Sequence, residues 1–233
     1  MLARVDSASQ PLTALHGCAV WLDPRGALVW PDERLLVVAD LHLEKGSAFA
    51  RRGQMLPPYD TVETLARLEA LVHAHQPRTI VSLGDSFHDR WGAERLDDEA
   101  RHRLAALQAG RSFIWVAGNH DPEPQAGLEG EWVRELSLGS LVFRHEPSEH
   151  HTPGEVAGHL HPVARLSVRG RSIRRRCFAT DGRRVVLPAL GAYAGGLNVR
   201  HGALAGLFAG PFEAHMLGEG RTYRIASTAC LMD

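Results

Sequence analysis

The chain has 233 residues, 44% of them hydrophobic and 23% charged, with a formal net charge of -1. That is enough apolar chain to bury a sizeable core without disulfide staples. The near-zero charge excludes a protein that holds nucleic acid by bulk basicity, so any such attraction must come from a local patch.

The apolar runs 19–22 and 27–30 flank Asp23-Pro24-Arg25-Gly26 and read as a hairpin. Leu35-Leu36-Val37-Val38-Ala39 is apolar throughout, as a strand buried on both faces should be, and it ends in Asp40-Leu41-His42. After Pro57-Pro58, Asp60 is placed to cap a helix with Glu63 as its capping-box partner. Val62, Leu65, Ala66, Ala70 and Val72 give that helix its apolar stripe. A second buried strand, 79–83, ends in Gly84-Asp85. A helix over 98–108 is stopped by Gly110, and a third strand, 112–117, ends in Gly118-Asn119-His120-Asp121. The later chain has short β-like runs at 140–143, 155–157, 176–180, 185–190 and 221–226. Alternating strands and helices followed by short strands predict an α/β fold with two packed sheets and helices outside, in a single domain over 1–233.

Cys18, Cys177 and Cys230 share no CxxC spacing and read as reduced buried thiols. The leading residues lack a signal-peptide core, and no run reaches the roughly 18 apolar residues of a membrane span. A cytoplasmic protein with no membrane partner is expected.

Fourteen histidines are present, and many fall in polar clusters that close the apolar runs. The clusters are Asp40-Leu41-His42, Gly84-Asp85-Ser86-Phe87-His88-Asp89, Gly118-Asn119-His120-Asp121, His145, and Gly158-His159-Leu160-His161. The carboxyl ends of parallel strands form the usual crevice of an α/β sheet, so five loops are expected to converge there. Carboxylates, an amide oxygen and imidazoles without a thiolate suit Mn²⁺, Fe²⁺ or Zn²⁺. The set exceeds what one tetrahedral ion needs, and two ions sharing a carboxylate account for the surplus. A lone Asp-x-His is mostly a loop accident; the ordered series is what carries the reading. If His159 and His161 lie on a strand, their imidazoles share a face.

This ordered series resembles the calcineurin-like metallophosphoesterase superfamily, whose pattern is D-x-H, G-D, G-N-H-D/E, a later His, and G-H-x-H. The resemblance implies a four-layer α-β-β-α sandwich: two mixed β-sheets flanked by helices. It also implies two divalent metal ions, Mn²⁺ foremost with Fe or Zn as alternatives. One would be held by Asp40, His42, Asp85 and His161, the other by Asp85, Asn119, His145 and His159, with Asp85 bridging. His120 would bind no metal and would stabilise the phosphate or protonate the leaving oxygen as general acid, while a metal-bound hydroxide attacks phosphorus in line.

Many phosphatases of that superfamily carry an Asp three residues after the bridging Asp, where it orients the catalytic His. Here His88 takes the place, followed by Asp89, a pattern similar to the SbcD-type repair nucleases, in which a second active-site His helps place DNA. This favours diesters over monoesters and makes His88 a second catalytic candidate. Residues 31–34, 40–46, 145–147, 158–162, 187–191 and 195–197 further resemble the bacterial ligase-associated DNA damage response phosphoesterases, the PdeM family. That resemblance implies a DNA endonuclease in a repair system with an ATP-dependent DNA ligase and a DEXH-box helicase as partners. The alternatives are a small-molecule phosphodiesterase or phosphatase acting on cyclic or dinucleotide substrates, and a non-catalytic scaffold.

The stretch from Arg165 to Arg176 is Arg-rich. Arg169, Arg171 and Arg174 are candidates for binding a phosphodiester backbone, with Arg51 and its neighbour Arg52 weaker ones. A solvated hairpin with charged edges is the competing reading. Tyr193, Gly195 and Gly196 are expected in a loop near the site or in a plain turn.

Overall fold

The four buried residues Leu35–Val38 set the layering. Leu35 and Val37 enter a core between two sheets, whereas Leu36 and Val38 enter a second core beneath helices. Side chains alternate along a strand, so a strand that is apolar at every position has to be covered on both faces. The structure is a computed structural model that describes residues 13–233. The expectation of no signal-peptide core falls on residues 1–12, outside the described residues.

The first sheet holds seven strands in chain order: β1 (Thr13–Leu15), β2 (Cys18–Leu22), β3 (Leu28–Trp30), β4 (Leu35–Val38), β5 (Thr79–Leu83), β6 (Ser112–Val116) and β7 (Glu131–Val133). Pairing is antiparallel from β1 to β4 and parallel from β4 to β7. Helices α1 (Lys45–Ala50), α2 (Asp60–His75), α3 (Gly92–Arg95) and α4 (Asp98–Gln108) fill the connections after β4 and β5. Leu65, Leu68 and Leu71 of α2 and Leu104 and Leu107 of α4 pack beneath Leu36, Ile80 and Trp115.

The second sheet is mixed and has nine strands: β8 (Glu135–Leu138), β9 (Leu141–Arg144), β10 (Glu155–Ala157), β11 (Pro162–Val168), β12 (Arg171–Thr180), β13 (Val185–Val186), β14 (Leu197–Asn198), β15 (Glu213–Leu217) and β16 (Thr222–Ala226). β9, β10 and β13 are parallel neighbours; β11, β12 and β15 pair antiparallel. Phe143, Val156 and Phe178 meet Val37, Val81 and Val116 in the core between the sheets. The expected sandwich of two mixed sheets is therefore observed. Its outermost layer on this side is thinner than expected. Cys177, Ala179 and Met216 are covered by Val199, Leu204, Leu207, Phe208 and Phe212, of which only Leu204 is helical, in α5 (Gly202–Ala205).

Three local expectations are corrected. The N-cap of α2 is Tyr59, without a side-chain cap bond. Asp60 instead accepts a 2.9 Å hydrogen bond from the Gly46 N–H, which fastens the start of α1. The buried stripe of α2 runs through Thr61, Thr64, Leu65, Leu68, Leu71 and Val72, while Val62, Ala66 and Ala70 are exposed. Burying the two threonines is what rotates the stripe: Thr61 bonds the Glu44 N–H at 2.9 Å and Thr64 the Ala192 N–H at 3.0 Å. The predicted strand 185–190 pairs only over Val185–Val186. Its remainder runs alongside the 39–40 segment, with Leu190 N–H on the Ala39 carbonyl and Gly191 N–H on the Asp40 carbonyl.

Candidate metal centre

Each polar cluster follows a strand end. Asp40 comes after β4, Asp85 after β5, Asn119 and His120 after β6, His145 after β9, and His159 and His161 after β10. The first two loops are zipped together. The His42 N–H donates to the Asp85 carbonyl at 2.9 Å, Leu43 N–H to Ser86 at 2.9 Å, and His88 N–H to Leu43 at 2.9 Å. Asp40, His42, Asp85, His159 and His161 all have left-handed backbone, with φ between 45° and 67°. Such conformations cost a non-glycine residue free energy and persist where surrounding structure enforces them, commonly at functional sites. The preceding glycines allow the close approach: a Cβ on Gly118 would lie 2.1 Å from the Asp85 nitrogen, and one on Gly158 2.7 Å from Asp40 Oδ2.

His159 and His161 are not on a strand. They lie in the bend between β10 and β11, and their two left-handed residues flank Leu160. The bend sends them to different groups. His161 Nε2 lies 3.3 Å from Asp40 Oδ1 and 3.3 Å from His42 Nε2. His159 Nδ1 lies 3.1 Å from His145 Nε2, which is 2.9 Å from Asn119 Oδ1 and 3.5 Å from Asp85 Oδ1. Asp40, His42 and His161 form one compact donor group, Asp85, His145 and His159 another, and His42, Asp85 and His120 a third between them. Asp85 also reaches the first group, its Oδ2 standing 4.0 Å from His42 Nε2. The structure thus brings all seven predicted ligands together. Asp40, His42, Asp85 and His145 form a buried floor, with Asn119, His159 and His161 towards the rim.

These residues fit a pair of divalent cations. His145 Nδ1 lies 2.9 Å from the Leu83 carbonyl, to which its N–H donates, leaving Nε2 without a proton and facing Asp85 and Asn119 oxygens. A backbone carbonyl fixing the tautomer in this way is the usual support of a metal-ligating imidazole. Among the described residues no Lys or Arg pairs with Asp40 or Asp85. Lone pairs and carboxylates aimed at common points need positive charge between them. Burial first, then the neighbouring His161 and His120, pushes the His42 pKa down to about 2, so this imidazole does not supply that charge as a proton. Burial likewise lowers His159.

His120 stands over Asp85, at the edge of the centre. Its backbone N–H donates to Asp85 Oδ1 at 2.9 Å, and its Nε2 is 3.9 Å from Asp85 Oδ2. Its Nδ1 lies 2.8 Å from the carbonyl of His88, which can only accept, so Nδ1 carries the proton and Nε2 faces the centre. The residue that replaces the orienting Asp therefore still orients His120, through its main chain. The His88 ring stacks on that of His120 at 5.0 Å between centroids. Burial, His120 and the charge of Lys45 lower the His88 pKa to about 4. The charge of Arg52 also reaches His88.

The arginines divide. Arg174 donates to the Gly196 carbonyl at 2.8 Å, and Arg176 to the Ala189 carbonyl at 2.7 Å, so both brace the loop beside Asp40. Lys45 Nζ donates to the Tyr193 carbonyl of that loop at 3.0 Å, which puts Tyr193 near the site. Arg169 and Arg171 sit at the closed end of the β11–β12 hairpin, far along the ladder from the Val163–Arg176 pair that adjoins His161. Arg51 closes α1 and is exposed.

Sequence reasoning gave no separate role to Asp121. Its buried carboxyl accepts from Phe87 N–H at 3.0 Å and Gly118 N–H at 3.2 Å, joining two ligand loops. Burial, with the nearby Asp85 charge, raises its pKa to about 7. The last position of Gly-Asn-His-Asp was the available signal. Trp91 was also missed, because nothing in its spacing marks it.

Comparison with known proteins gives four findings. The family model for calcineurin-like phosphoesterases matches residues 33–176, which spans the loops from Asp40 to His161. Among solved structures, the Pseudomonas putida nuclease MPE superposes with a TM-score of 0.70 at 29% identity, covering 93% of this chain and 100% of that one. A conserved uncharacterised protein of Streptococcus pneumoniae, a predicted phosphoesterase, covers 82% of this chain and 96% of its own at 15% identity, but its TM-score of 0.31 is too low to argue from. No curated protein matches the chain.

Proposed function

The chain belongs to the calcineurin-like phosphoesterase family and is a metal-dependent phosphoesterase, and from that premise we propose that it is a dinuclear phosphodiesterase that cuts DNA. The carrying observation is Asp85, a buried carboxylate that groups with His42 and His120 on one side and with His145 and His159 on the other, and that pairs with no Lys or Arg among the described residues. Asp40, His42, Asp85 and His161 would hold one ion, and Asp85, Asn119, His145 and His159 the other. When bound, such a pair neutralises charge on the phosphoryl oxygens and lowers the pKa of a water.

The rest falls to this chain's own groups. His120 keeps its Nδ1 proton on the His88 carbonyl in both charge states, so the proton it exchanges is the one on Nε2. That proton goes to the leaving oxygen, a general-acid role worth on the order of 10²–10⁴-fold. His88 buttresses His120 from its stacked position and, flanked by Lys45 and Arg52 charge, offers a cationic surround to a second phosphoester arm. A diester has such an arm and a monoester does not. Likeness to the Pseudomonas putida nuclease supports the same choice.

The finer reading is a Mn²⁺-dependent endonuclease in a single metallophosphoesterase domain. It would be cytoplasmic and work in DNA repair beside an ATP-dependent ligase and a DEXH-box helicase, as the PdeM resemblance implies. A Mn²⁺-supplemented assay comparing bis-aryl and mono-aryl phosphates, single-stranded DNA, RNA and cyclic nucleotides tests it. Bis-aryl phosphate and DNA should be cleaved. Turnover of monoesters alone overturns the diesterase reading; turnover of cyclic nucleotides without DNA overturns the nuclease reading.

A further inference from the structure

Trp91 is the one exposed tryptophan of the five in the chain, at 49% relative exposure. It lies three residues after His88, whose carbonyl orients His120. Its mounting is rigid. The Asp89 carboxylate accepts the Trp91 N–H at 2.9 Å and pairs through both oxygens with Arg95, each at 2.9 Å. Arg95 is itself tied to Ser47 of α1 at 2.8 Å, and Gly92 N–H returns to the Asp89 carbonyl at 2.9 Å. The Arg90 guanidinium stands 5.2 Å from the indole centroid. A large apolar ring left in water on a braced turn, with one cation over it and three residues from His88, has the chemistry of a stacking platform. Its neighbours Asp89, Arg90, Glu94 and Arg95 are charged, so it is not the centre of an apolar patch of the kind protein partners cover.

We propose that Trp91 stacks an unpaired nucleobase next to the reacting phosphodiester, with Arg90 closing over the base. This deepens the nuclease reading and rests on it. A base inside a duplex already has both faces covered, whereas a splayed base offers one to the indole. Trp91 then sets substrate preference by recognising a base on the strand being cut, independently of base identity, since every base has a π-face.

The test compares wild type, Trp91→Ala and Trp91→Phe in Mn²⁺-loaded protein on two probes: an oligothymidylate and an abasic phosphodiester oligomer of equal length. Wild type should prefer the oligomer with bases. Trp91→Ala should lose about ten-fold of that preference, the loss appearing in KM rather than kcat, given the strength of base–aromatic stacking. Trp91→Phe should recover part of it. Tyr223→Ala, which removes an exposed aromatic on β16, should keep the wild-type ratio. Indole fluorescence should be quenched by oligothymidylate in wild type more than in Trp91→Phe. An unchanged ratio in Trp91→Ala overturns the proposal, as does a loss of self-association in that variant with the ratio intact. If wild type cleaves neither oligomer but hydrolyses monoesters, it is the nuclease reading that has failed.

Discussion

Two buried polar clusters sit in this molecule, and they are built on opposite principles. Glu155 and Arg184 pair directly, both buried, and the guanidinium also donates to the carbonyls of Leu207, Ser148 and His150. Charge there is cancelled by charge, and the carbonyls accept from both terminal nitrogens of the guanidinium. The Asp40–Asp85 centre gathers two buried carboxylates and a ring of imidazoles with no Lys or Arg paired to either acid among the described residues. The first cluster is balanced in charge as it stands and fastens the β10–β13 region. The second is complete only with cations, so its architecture is spent on something other than holding the fold. Charge balance distinguishes a structural polar cluster from a functional one more sharply than burial does.

Removing one acid from each cluster is the strongest way to break that comparison. Asp85→Ala should abolish bound metal, read by elemental analysis, and activity should fall by more than the about 10–100-fold that losing a supporting residue costs. The chelated variant should be no less stable than chelated wild type, because a buried carboxylate without a basic partner has gone. Glu155→Gln should do the reverse, keeping metal and kcat but losing about 3–5 kcal/mol of stability in urea, since it strands the Arg184 charge. If Asp85→Ala unfolded the chelated protein while Glu155→Gln left it untouched, the assignment of the two clusters would be inverted.

His120→Ala sharpens the division inside the centre. Metal content should stay at the wild-type level while kcat drops on the order of 10²–10⁴-fold. The drop should shrink for an aryl leaving group, which departs without a proton. Loss of metal in this variant would make His120 a ligand, a geometry its Nε2, 3.9 Å from Asp85, leaves open to test.

The sequence exposed these two clusters unequally. Asp40, Asp85 and the His pairs were legible because each closes an apolar run, and a strand must end where polar backbone meets solvent. The parallel β4, β5 and β6 were legible for the same reason. Glu155 and Arg184 were not, since their pairing joins a residue of β10 to one 29 positions on, in the turn before β13, and neither sits in a motif. The α2 stripe was misread because buried Thr61 and Thr64 count as polar in a periodicity, whereas their hydroxyls are satisfied by backbone N–H groups from other loops. The same limit hid Trp91 and the orienting role of the His88 carbonyl: a main-chain acceptor and a surface ring leave no pattern in residue types.

The pH dependence of the chelated protein follows from the same lack of charge balance. His42, with a folded pKa of about 2, and the lowered His159 stay neutral in the fold while the unfolded chain takes up protons near pH 6.5. Stability is therefore lost as pH falls below about 6.5. Asp121 acts with the opposite sign: held protonated up to about 7 while the unfolded carboxyl ionises near 4, it costs stability as pH rises between those values. The imidazoles outnumber the carboxyl, so urea midpoints should fall from pH 6.5 towards 4.5, by about 1 kcal/mol per pH unit from His42 alone. His42→Gln should flatten that slope and Asp121→Asn should steepen it. A midpoint that rises with acid would mean the centre already holds its protons in the fold.

The smallest effect concerns arginines, which also come in complete and incomplete forms. Arg184 and Arg176 donate to backbone carbonyls, whereas Arg169, Arg171 and Arg175 have no side-chain partner among the described residues. They ride on the β11–β12 ribbon, where residues 167–175 are exposed on both faces. A two-stranded ribbon without a covering layer is marginal in water, and its free guanidinium groups match phosphate geometry. Arg171→Gln should raise KM for an oligonucleotide a few-fold at low salt and reduce the salt slope by about 0.7, the value expected for one phosphate contact on a single strand. Arg174→Gln should act differently: it removes the bond to the Gly196 carbonyl, so its effect should persist at high salt and extend to a bis-aryl phosphate too small to reach the ribbon. If the two variants behave alike, the ribbon is a solvated edge and nucleic acid is held by the groups around His88.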